Sequence, residues 1–140
     1  MPFTPCHAAA VVPFLRTRLI PSALIVGSMA PDFQYFLRVS LHTDRSWHDP
    51  RGGFLWCIPA GLAALWLFHR ILKAPLLSLL PAAHRERLRR LAGDFRFLPL
   101  RRLGRILASL ALGVLTHLAW DSVTHLYGWN PAGGLYAILS

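Results

Sequence analysis

The chain has 140 residues, enough for one compact unit, with 54% hydrophobic and only 15% charged residues and a mean hydropathy of +0.42. That leaves too little polar surface to cover a globule, since an average soluble domain carries about 25% charged residues, so an ordinary soluble domain is excluded and lipid is expected as part of the solvent. The net charge of +9 does not argue for nucleic acid: ten of the fifteen basic residues lie between Arg70 and Arg105, around two apolar stretches, which is the positive-inside pattern of a cytoplasmic loop.

In chain order, residues 8–15 and 22–30 are short apolar runs separated by RTRLIP. Each is too short to cross a bilayer, which needs about 20 residues, so they read as an N-terminal hairpin of two short helices, re-entrant or packed against the other helices. Pro31 and Asp32 are expected to end the second, because the residue before a proline is pushed away from the helical region. Residues 33–53 are mixed and polar, and HTDRSWHDPRGG reads as a loop. Residues 54–72 form the first spanning candidate, with Pro59 tolerable in a membrane helix.

Residues 75–83 are apolar and bounded by prolines, and read as an interfacial turn. Residues 84–105 are basic, with Leu and Phe among the arginines, which suits a helix lying on an anionic membrane surface at the cytoplasmic side. Residues 106–123 form the second spanning candidate, in which Ala108, Ser109, Ala111 and Gly113 would allow close helix contact. The tail PAGGLYAILS turns apolar as it stops and reads as the cut end of a longer protein. The expected fold is thus all-α, a single integral membrane bundle over residues 1–140 with two spans. Cys6 and Cys57 form no disulfide framework and no CxxC metal site.

The chemistry concentrates in THLAWDSVTH, which sets His117, Asp121 and His125 at i, i+4 and i+8. On a helix these share one face, with neighbours about 6 Å apart. A carboxylate between two imidazoles offers oxygen and nitrogen donors to zinc or a similar divalent ion. The ends lie about 12 Å apart, too far for one ion, so the spacing suggests two ions with Asp121 between them. Structural hydrogen bonding and a proton relay or transport path are the competing uses of such a face; ionisable groups in a membrane helix are costly, which weighs toward function.

Topology adds three positions to this picture. An antiparallel pair of spans with the basic loop at one end brings His48 toward His117, Asp121 and His125 at the other. The N-terminal hairpin opens at His7 and closes at Asp32, with Arg16 and Arg18 at its turn. His7, Asp32, His48, His117, Asp121 and His125 are therefore expected to meet at one membrane face. Asp49 would orient His48. His69 and His84 fall at the basic end and are excluded, and His42 and Asp44 read as solvated. Trp47, Trp120 and Trp129 suit an interfacial aromatic belt.

The segments TPCHAAA, GSMAPDF, the loop histidine His48 before an apolar helix, and THLAWDSVTH resemble domain-of-unknown-function family 4184, bacterial and archaeal membrane proteins, over Pro2 to about Trp129. That family looks like a distant relative of predicted membrane-bound metal-dependent hydrolases and, through them, of zinc-dependent phospholipase C and related nucleases. The resemblance implies that Asp32, His48, His117 and Asp121 hold one zinc, that His7 joins a second ion bridged by Asp121, and that His125 serves a third. It implies an enzyme of the prokaryotic cytoplasmic membrane, its site on the extracytoplasmic face, acting on a phosphoester such as a phospholipid head group. Asp32 or Asp121 would orient the attacking water or accept its proton. The alternative from another class is a non-catalytic metal-binding or transport protein, and a third is a structural membrane subunit. Oligomeric state is not legible.

Overall fold

A computed structural model describes residues 7–37, 50–91, 93 and 95–124. Among them there is no strand. The chain opens with α1 (His7–Ala10) and a short 3-10 helix (Val12–Arg16), then α2 (Pro21–Met29), a 3-10 turn (Ala30–Asp32) and α3 (Phe33–Leu37). A long helix follows, α4 (Pro50–Leu67), which passes through a π-helical turn (Phe68–Leu72) into α5 (Lys73–Ser78). Then come α6 (Ala82–Leu91) and α7 (Leu100–Thr124).

Two stretches, Gly53–Ser78 and Leu100–Ser122, are long and apolar enough to cross a membrane. Only 17% and 33% of their apolar windows are buried, whereas a core helix of a soluble protein hides most of its surface. Pro59 sits inside α4, as expected of a helix with neighbours to satisfy it. Both spans run longer than the apolar composition suggests. Residues 75–78 continue the first helix rather than turning, and the second begins inside the basic stretch at Leu100. The basic segment 84–105 is accordingly not one helix. It is divided into α6, non-helical chain at residues 95–98, and the first turns of α7, because Pro99 has no amide to continue a helical ladder from the preceding turn.

The core is three-helical. Cys57 packs with Val114, the Gly61 Cα faces the Leu110 side chain, and Leu65 packs with Ile106, so α4 and α7 run antiparallel. α2 runs parallel to α7: the Ile20 amide donates to Ser109 Oγ (2.9 Å) at one end, and the Ser28 carbonyl meets His117 at the other. Between these points the backbones nearly touch. A Cβ on Gly27 would overlap the Leu110 carbonyl oxygen, and one on Gly113 would lie 2.5 Å from the Leu24 carbonyl oxygen and 2.6 Å from the Ser28 nitrogen. Ala23, Gly27, Ser109 and Gly113 are all buried, giving each helix a pair of small residues one turn apart. Of the four small residues expected to make close contact, Ser109 and Gly113 do so, while Ala108 is exposed and Ala111 half-buried.

α2 ends differently from the expectation. Ala30, before Pro31, keeps helical angles (φ −59°, ψ −38°) instead of turning extended. Pro31 has no amide for the Gly27 carbonyl, which takes the Ala30 amide instead, so the chain tightens to 3-10 geometry and resumes as α3. That tightening positions Asp32.

Candidate metal centre

Four of the expected residues meet at one end of the bundle. His7 comes from α1, Asp32 from the 3-10 turn after α2, and His117 and Asp121 from adjacent turns of α7. His7 and His117 are completely buried and Asp32 is 5% exposed. Asp121 is half-buried and marks the open side. His48, His125 and Asp49 lie outside the described residues, as do His42, Asp44, Trp47 and Trp129.

The two imidazoles stack, with centroids 3.9 Å apart and planes 26° from parallel. Each Nε2 faces both carboxylates through different oxygens. His7 Nε2 is 3.9 Å from Asp32 Oδ2 and 3.6 Å from Asp121 Oδ1. His117 Nε2 is 3.7 Å from Asp32 Oδ1 and 3.3 Å from Asp121 Oδ2. The arrangement is a closed ring in which two carboxylates each reach across two histidines. Ligand atoms of His7, His117 and Asp121 all fall within 4.8 Å of one another, a group able to hold a metal ion.

His117 Nδ1 lies 2.7 Å from the Ser28 carbonyl oxygen. A carbonyl only accepts, so Nδ1 donates, and Nε2 is the nitrogen turned toward the carboxylates. A backbone carbonyl behind the ring, fixing the tautomer and orientation, is the usual support of a metal-ligating histidine. The distances fit the same use. For a tetrahedral ion with bonds of about 2.0–2.2 Å, neighbouring donors sit about 3.3–3.6 Å apart, longer than a hydrogen bond and close to the spacings here. Two carboxylates in a largely buried place call for nearby positive charge, which divalent cations would supply.

Sequence reasoning did not find two participants. The Ser28 carbonyl is a backbone group and leaves no mark in the side-chain pattern. Tyr35, three residues after Asp32 and one helical turn further on, was detectable from GSMAPDFQYF by its spacing alone. Its phenol is held above the ordinary value of 10.0, first by burial and then by the negative charges of Asp32 and Asp121, so it stays a neutral hydrogen-bond donor beside them. Trp120, next to Asp121, is exposed. His69, set aside on sequence grounds, is far from the ring: it contacts Ser22 Oγ (3.2 Å) and stacks on Phe95.

The family model described as "Domain of unknown function (DUF4184)" matches residues 1–133. The chain belongs to the DUF4184 family. No curated protein and no solved structure matches it. All four members of the ring fall inside the matched region, so the centre is part of the DUF4184 domain and not an appendage to it.

Proposed function

We propose that this DUF4184 protein is a membrane-embedded, metal-dependent hydrolase of phosphoesters, a phospholipid head group being the substrate its position suits best. One observation carries the reading: two buried carboxylates each face both of two stacked histidines through separate oxygens. His7 with one oxygen of each aspartate would hold one divalent ion, and His117 with the other two oxygens would hold a second. In each of these two sets the imidazole nitrogen lies 3.3–3.9 Å from the carboxylate oxygens it faces. Zinc is the expected metal, from the mixed nitrogen and oxygen donors. Bound ions of this kind supply an activated water and stabilise the charge that builds on phosphoryl oxygens.

The chain's own residues have distinct tasks in this reading. Ser28 holds His117 by its Nδ1 proton, so the ring cannot turn its ligating nitrogen away. Asp121, on the open side, would accept a hydrogen bond from an incoming water and so orient it, with Asp32 the more deeply buried carboxylate behind it. Tyr35, neutral and partly exposed, can donate to a substrate oxygen. The two apolar helices, together with the basic stretch at the opposite end, support a bilayer location with the centre on the extracytoplasmic face of a prokaryotic cytoplasmic membrane.

Detergent-purified protein is expected to carry about two zinc ions per chain by elemental analysis, as in two-metal hydrolases. It should hydrolyse bis(p-nitrophenyl) phosphate and short-chain phosphatidylcholine, and Asp121→Asn should lower that rate by at least about a hundredfold. A metal-free wild type overturns the centre. Metal without hydrolysis of either substrate, or an unchanged rate in Asp121→Asn, overturns the catalysis and leaves a metal carrier.

A further inference from the structure

The end of the bundle away from the histidines is also built, and the centre does not use it. α6 carries Arg85, Arg87, Arg89 and Arg90 against one acid, Glu86, and every residue from Pro81 to Arg89 is exposed. It stands between Ser78 and Leu100, where both apolar helices end. Its placement is held by specific contacts. The Arg85 guanidinium donates to the Leu80 carbonyl oxygen (3.0 and 3.3 Å), fixing the corner from α5. Lys73 Nζ donates to the Gly93 carbonyl oxygen (2.7 Å), drawing the chain after α6 back to the first apolar helix. Phe95 stacks on His69 at 3.9 Å, and the Arg102 guanidinium carbon lies over the Phe95 ring, 5.5 Å from its centroid, so this return is anchored between the two long helices.

On this fixed frame apolar and cationic side chains alternate at the surface. Leu79, Leu98 and Leu100 are 80%, 69% and 75% exposed, and Leu88 projects from α6 between Arg87 and Arg89. Leucines so exposed are costly in water and favourable at an acyl-chain boundary, while arginines at the same level reach phosphate groups. We infer that α6 and the adjoining turns are a docking surface for anionic phospholipid, with Arg87, Arg89, Arg96 and Arg101 meeting the phosphates and Leu79, Leu88 and Leu98 entering the acyl boundary. The occupant is the anionic leaflet of the bilayer in which the helices sit. Charge complementarity and continuity with the two apolar helices select it. A nucleic acid would meet the same charges but would leave the leucines in water. This inference shares with the hydrolase reading only the bilayer, not the centre.

The test uses the full chain in dodecyl maltoside with an equimolar mixture of phosphatidylglycerol and phosphatidylcholine of the same acyl composition. Bound lipid is read by native mass spectrometry. Phosphatidylglycerol should be retained preferentially. Each arginine near the surface is worth about a fivefold change in binding, so Arg87→Gln with Arg89→Gln should remove most of the preference, while Arg87→Lys with Arg89→Lys should keep it. Both positions are exposed, and zinc content measured on the same samples should not change. Equal retention of the two lipids by wild type overturns the inference, as does an intact preference in the glutamine variant. Displacement of phosphatidylglycerol by an equimolar DNA duplex also overturns it, in favour of a nucleic-acid surface.

Discussion

At the residue scale the decisive group is His117, because it is held at both ends of its ring. Nδ1 is committed to the Ser28 carbonyl and Nε2 faces two carboxylates. These roles can be separated. In His117→Asn the side-chain amide nitrogen can take the place of Nδ1 and still donate to Ser28, but nothing remains to ligate. Metal content should fall to half or less while the thermal midpoint stays near that of metal-stripped wild type. His117→Ala removes both roles and leaves the carbonyl without its donor, costing about 1–3 kcal/mol more in stability. Elemental analysis with a thermal-shift assay on the two variants checks this. Equal stability of Asn and Ala would show that the Ser28 bond does not hold the ring.

At the scale of elements the crossing of α2 and α7 matters most. Asp32 and the Ser28 carbonyl reach His117 only because these helices approach at backbone contact, and that approach depends on Gly27 and Gly113 lacking side chains. In Gly27→Ala the new methyl meets Leu110 backbone, which cannot rotate away as a side chain could, so the helices must separate. Overpacking of this kind costs about 1–3 kcal/mol. The expected outcome is a lower thermal midpoint together with weaker metal retention against a chelator, although Gly27 touches no ligand. An alanine at Gly104, whose added Cβ meets nothing within 4 Å, should leave metal retention unchanged and raise the thermal midpoint slightly, because alanine is the better helix former. Metal retention that ignores Gly27→Ala would detach the centre from the crossing.

At the scale of the whole molecule the arrangement is polar end to end. The His/Asp ring lies at one end of the antiparallel pair, and the arginines of α6 and early α7 lie at the other. If the two apolar helices cross a bilayer, a probe at Tyr35 and one at Arg87 must face opposite sides. In a Cys6→Ser background, Tyr35→Cys and Arg87→Cys should each react with a membrane-impermeant maleimide from one side only, and from different sides. Cys57 is completely buried in the helix contact and should stay silent. Labelling of both introduced cysteines from the same side of sealed vesicles would end the two-span topology.

Much of this was legible in the linear order. Helical class, two apolar helices and the basic end follow from hydrophobic run length and charge placement, which are local properties. The pairing of His117 with Asp121 follows from helical periodicity alone. Their meeting with His7 and Asp32 was an expectation of topology, made definite only by packing. Three features had no local signature. One is the parallel contact of α2 with α7, which depends on which small residues face each other. Another is the Ser28 carbonyl behind His117, since a backbone acceptor is the same in every sequence. The last is the continued helical path through Ala30, where neighbouring packing outweighs the bias against helix before a proline. Sequence alone therefore determined which imidazoles and carboxylates this protein owns and on which elements they ride. The tertiary structure decided that two carboxylates would each span two histidines, because that depends on the distance between backbones and not on the spacing along any one of them.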